Sequence, residues 1–231
     1  MFSLFSQSTQ VEQLWQDTTL QSPLTKQDYI DVADKGLNDV LTNICSEGWT
    51  VVLEKEGALI EEKKIPGSDL TAIRTSIVLK GITDINKVIK CVHSPTFEER
   101  KQVYEKLSGH DLVEVISEEI VVTHSKFSAP MGITGRDFLT VRSKRQLIDG
   151  TFVVAVRSIN RKDVPYNSNY VRGVSNSDIY IFPISESNDV RIVAFDHIDP
   201  KGWMPTYVVN QFKSSAGDWL INMQKVYGQT K

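Results

Sequence analysis

The chain has 231 residues, 40% of them hydrophobic, which is enough for one sizeable core and gives no reason to divide the globular part. A formal net charge of −3 supplies no general attraction to phosphate backbones, so nucleic acid is excluded as a partner and any membrane contact must be local. No apolar run reaches the roughly 18 residues of a spanning helix, and the N-terminus lacks the basic and apolar regions of a leader, so a cytoplasmic protein is expected.

Residues 1–24 are rich in Gln, Ser and Thr, with Val11, Leu14 and Trp15 as their apolar cluster, and read as a tail or short docking segment ahead of one domain over 25–231. Thr25 with Asp28 is a helix-capping signal, after which Tyr29, Val32, Ala33, Leu37, Val40, Leu41 and Ile44 repeat at helical steps. Short β-branched runs over 50–53, 58–65 and 70–80, separated by Glu56-Gly57 and Pro66-Gly67, predict a three-stranded meander. Ile85, Val88, Ile89 and Val92 suggest a short helix, and Ser94-Pro95-Thr96 with Glu99 starts another that carries Phe97, Tyr104 and Leu107. Seven strand-like runs follow, over 112–116, 119–124, 138–144, 151–158, 170–174, 179–183 and 190–199. With no helix between them, they predict an antiparallel sheet. Pro205 then opens one long helix to Tyr227, on which Val208, Val209, Phe212, Ala216, Trp219, Leu220, Met223, Val226 and Tyr227 share one face and Ile221 falls outside it.

The fold class is therefore α+β, a curved antiparallel sheet of about nine strands with a long C-terminal helix laid across it. Such a pair of layers either fills with side chains or encloses a cavity. Catalytic signatures are missing: there is no GxSxG, HExxH, Walker loop or GxGxxG, and no enzyme, cofactor or metal is implied. His93, His110, His124 and His197 are scattered, and Cys45 and Cys91 stand far apart without metal or CxxC spacing, so they read as idle thiols. Arg142 lies within a strand both of whose faces carry apolar residues, which leaves its direction open; pointing inward, it needs an acceptor such as Asp196, Asp199 or a ligand's polar group.

Three ordered segments carry a likeness: 135–142, ending in Phe138-Leu139-Thr140-Val141-Arg142; Tyr170-Val171-Arg172-Gly173; and Asp199-Pro200-Lys201-Gly202-Trp203-Met204-Pro205 followed by Val208-Val209-Asn210-Gln211. With Glu47-Gly48-Trp49 upstream, they resemble START lipid-transfer domains, and within them the steroidogenic acute regulatory protein branch. The resemblance implies a helix-grip fold around a hydrophobic tunnel, and a monomer that binds one phospholipid, sterol or related lipid and moves it between membranes without chemistry. It implies a lining of Val208, Phe212, Ala216, Trp219 and Met223 from the helix, with Arg142, His124, Ser158, Tyr180 and either Asp196 or His197 at the polar end. The cover would comprise the helix and the loop 160–169, with Tyr166, Trp203, Met204 and Pro205 meeting the membrane. In sterol-binding members the arginine matching Arg142 pairs with an acid on the preceding strand; here that strand reads Val121-Val122-Thr123-His124-Ser125-Lys126, without a carboxylate, which leaves room for an anionic head group. The alternatives are a helix-grip enzyme using His124 with Asp196 in hydrogen-bond contact, and a lipid-sensing scaffold.

Overall fold

In a computed structural model, residues 24–130, 132–184, 187–204, 208 and 215–229 are described. Helix α1 (Lys26–Cys45) starts in a capping box, with the Asp28 N–H donating to the Thr25 hydroxyl and the Thr25 N–H donating to the Asp28 carboxylate at 2.6 Å. Strands β1 (Thr50–Lys55), β2 (Ala58–Lys64) and β3 (Thr71–Leu79) form the expected meander, followed by helices α2 (Ile85–His93) and α3 (Phe97–Val103). Then come β4 (Leu107–Val115), β5 (Ile120–Phe127), β6 (Gly135–Gln146), β7 (Phe152–Ser158), β8 (Tyr170–Arg172), β9 (Val174–Pro183) and β10 (Val190–Asp199), and helix α4 (Asp218–Tyr227).

The ten strands make one sheet in the order β1-β2-β3-β10-β9-β7-β6-β5-β4. Every pairing along that path is antiparallel, while β8 runs parallel to the first three residues of β6, a pairing the strand spacing did not predict. Leu107 opens β4 instead of closing α3, which stops at Val103. Both faces of the sheet are covered. On the outer face α1 packs against Val153, Ala155, Val193 and Phe195, and Gly36 is required there because a Cβ would sit 2.9 Å from the Ala155 Cβ. On the inner face α2 and α4 close over Ile77, Val154, Ile179, Ile181, Ile192 and Ala194.

The C-terminal helix differs in extent and orientation from the expected stripe. Its described part begins at Asp218, after a turn over 215–217, and positions 205–207 and 209–214 of the expected helix lie outside the described residues. Ile221 is buried in the core rather than solvated, because α4 packs against α2 and α3 as well as the sheet, whereas Val226 is exposed.

Candidate functional site

Opposite residues in an antiparallel pair share a face, so register alone assembles the inner surface. Arg142, Val156, Ser177 and Asp196 stand in one row across β6, β7, β9 and β10. Thr123, Thr140 and Ser158 stand in the next row. Hydrogen bonds link these hydroxyls: Thr123 to Thr140 at 3.1 Å, the Ser175 N–H to Ser158 at 2.8 Å, Ser175 to Ser177 at 3.0 Å, and Ser177 donating to Asp196 at 2.6 Å. A polar band thus crosses the inner face.

The band ends at Arg142, which points inward and is buried. Its Nε donates to Thr123 Oγ1 at 3.0 Å and its Nη1 to the Val92 carbonyl, and neither acceptor is a carboxylate. Thr123, rather than His124, is therefore the residue that faces Arg142 from the preceding strand. Burial, assisted by the nearby Arg100 charge, holds the Arg142 guanidinium down to about 9. Arg100 reaches the same region from α3, 4% exposed, its guanidinium 4.6 Å from the centre of the Tyr104 ring. Among the described residues its Nε and Nη1 find no hydrogen-bond partner. His110 on β4 bonds Ser125 through Nδ1 at 2.9 Å, and burial followed by the two arginines lowers it to about 2, so it is neutral at physiological pH.

Loss of hydration raises Tyr104 to about 12 and pushes Asp196 upward, and both side chains are half-buried. Tyr104 is stacked on Trp219 of α4 with centroids 5.5 Å apart, and Tyr104 and Phe127 meet edge-on at 6.1 Å. Val208, Trp219 and Met223 are buried and Ala216 is half-buried, while Phe212 and Pro205 lie outside the described residues.

A START domain profile matches residues 46–221 of the chain. The chain belongs to the START domain family. The steroidogenic acute regulatory protein of Xenopus laevis is 29% identical over 209 residues, covering 79% of this chain and 70% of that protein. StAR-related lipid transfer protein 5 of Bos taurus is 25% identical over 187 residues, covering 77% and 85%. The solved structure of human StAR-related lipid transfer protein 5 superposes with a TM-score of 0.79 at 21% identity over 88% of this chain and 98% of that one, which establishes the shared helix-grip-like fold.

Within this START domain the inner face takes Arg142, Ser158 and Asp196 of the expected polar residues and turns three others away. His124, Tyr180 and His197 belong to the alternate, outer positions of β5, β9 and β10, because successive side chains of a strand point to opposite faces. His124 Nε2 lies 2.7 Å from Asp137, which also accepts from Arg172 Nε at 2.9 Å; burial alone would raise Asp137, but these two hydrogen bonds outweigh it and lower it. Tyr180 stacks on Phe182, and His197 Nε2 meets the Ser68 hydroxyl at 3.1 Å. His124 and Asp196 are therefore on opposite sides of the sheet and are not in hydrogen-bond contact. Among the described residues there is no cluster of three potential metal ligands, and no helix is long and apolar enough to cross a membrane.

The approach to the C-terminal helix is held by a residue that sequence reasoning did not single out. Arg136 donates to the carbonyls of Pro200 at 2.9 Å and Lys201 at 3.0 Å, where Lys201 and Gly202 both adopt positive φ to turn the chain off β10. Trp203 projects from this clamp 79% exposed and Met204 is half-buried. Tyr166 is exposed beneath the Arg172 guanidinium at 5.2 Å, in a recess of about 220 Å³ lined also by Asn160, Arg161, Val164 and Pro165.

Proposed function

We propose that this START domain encloses one lipid in its inner space and carries it between membranes, with no chemistry of its own. The observation that carries this reading is the START profile over residues 46–221, with a hydrogen-bonded polar band across the inner face ending at the inward Arg142. A lipid needs shelter: each buried methylene is worth about 0.8 kcal/mol, so a chain of some 15 carbons would forfeit on the order of 12 kcal/mol in open water. The names of the two relatives, one a lipid transfer protein and one a steroidogenic regulatory protein, agree with it.

The cover is the C-terminal helix with the loop 160–169, and it opens where Trp203 and Tyr166 stand exposed, two amphipathic rings suited to a membrane interface. Net charge of −3 makes that contact local and brief, as expected of a cytoplasmic monomer shuttling between surfaces. The test is transfer of labelled lipids from donor to acceptor vesicles. The protein is expected to speed transfer of at least one of sterols, phospholipids, sphingolipids or fatty acids; no acceleration with any of them contradicts carriage.

A further inference from the structure

The geometry points to an acid-binding subsite made by Arg100 of α3 and Arg142 of β6, so that the preferred ligand is a lipid whose head carries a carboxylate or phosphate. This rests on the reading of the inner space as a lipid site. Both guanidiniums are buried: Arg142 reaches the Val92 carbonyl near the end of α2, Arg100 lies against the Tyr104 ring, and the Arg100 charge acts on Arg142. Among the described residues neither has a carboxylate partner: Arg142 bonds a threonine hydroxyl and a main-chain carbonyl, and two nitrogens of Arg100 bond nothing. A buried cation without acceptors is strongly disfavoured, so a site built this way is completed by a bound anion.

The other titratable groups nearby do not fill that role. Asp196 is three strands away along the row, roughly 14 Å of backbone at about 4.8 Å per strand; its charge acts on Arg142 through space as the smallest cause, no ion pair joins the two, and its carboxyl already accepts from Ser177. His110 is neutral and adds no charge of either sign. Tyr104 offers its ring face to Arg100, which holds the guanidinium in place without neutralising it. Arginine suits the task because its planar fork grips carboxylate or phosphate oxygens in pairs, and Thr123, placed where an acid would cancel Arg142, leaves that charge available.

The experiment measures binding of oleate, oleoyl lysophosphatidate, methyl oleate and oleyl alcohol to the purified full chain by titration calorimetry. At least one of the two acids is expected to bind tenfold or more tightly than methyl oleate, and the tighter of the two distinguishes carboxylate from phosphate. Arg100→Met is expected to reduce that ratio below threefold. Should Arg100→Met fail to fold, as judged by thermal unfolding, Thr123→Asp supplies the same test by setting a carboxylate against Arg142 and is expected to collapse the ratio likewise. Equal binding of acid and ester by the unaltered protein, or a tenfold ratio surviving in a folded variant, overturns the subsite while leaving lipid carriage standing. Absence of binding by all four probes together with no vesicle transfer overturns both.

Discussion

Replacing Thr123 by Asp puts a carboxylate where a hydroxyl now accepts from Arg142 Nε at 3.0 Å. Burial holds that guanidinium at about 9 against an ordinary 12.5, which at about 1.4 kcal/mol per pH unit sets the penalty on its charge at on the order of 5 kcal/mol. A carboxylate in contact recovers part of this but brings its own desolvation, so the net stabilisation expected is about 1–2 kcal/mol. For a chain of this size that raises the midpoint of thermal unfolding by roughly 2–8 °C. Differential scanning calorimetry on lipid-free protein reads it directly, with Thr123→Asn as the uncharged control. A midpoint that does not rise in Thr123→Asp, or that rises equally in Thr123→Asn, refutes the reasoning that Arg142 lacks a counter-charge.

Three further outcomes follow from side chains elsewhere in the fold. His93 is buried, donates to the Glu119 carbonyl at 3.0 Å and is pushed down to about 4, chiefly by burial. Its folded form thus takes up a proton later than its unfolded form, and stability present above pH 6.5 is lost as pH falls towards 4, by on the order of 3 kcal/mol. Asp178 and Asp196, both raised mainly by burial, act with the opposite sign, so the His93 share is read as the difference between the unaltered protein and His93→Gln in urea unfolding at pH 7 and pH 4.5. Asp137→Asn weakens the buried contacts to His124 and Arg172 and is expected to cost about 2–4 kcal/mol in the same assay; because Asp137 faces outward, a changed choice of lipid in a stable variant contradicts its placement. Trp203→Ala removes an exposed ring and is expected to cut vesicle association severalfold in a sedimentation assay with no shift in unfolding midpoint, whereas unchanged association removes Trp203 from the membrane contact.

Elements with one clear period were legible. Strand β10 has the bounds read from its β-branched run, and α1 begins at the cap that Thr25 and Asp28 announce. The site was harder because this sheet is covered on both faces, by α1 outside and by α2 and α4 inside, which erases the alternation that normally tells inner from outer. In β5, Val121 and Val122 are both buried and so are Thr123 and His124, so a one-residue slip placed His124 where Thr123 belongs. The same slip misplaced Tyr180 and left Asp196 and His197 as alternatives. Arg100 was hidden for a different reason: among Glu98, Glu99 and Lys101 it reads as one more charge on a solvated helix, and only the closure of α3 against α4 and β4 buries it.

The central claim, that the inner space holds a single lipid, is tested most directly by native mass spectrometry of the purified chain after incubation with mixed liposomes. The account expects an added mass equal to one lipid per protein, lost on mild activation. Only the bare protein mass after exposure to sterols, phospholipids, sphingolipids and fatty acids alike would contradict it.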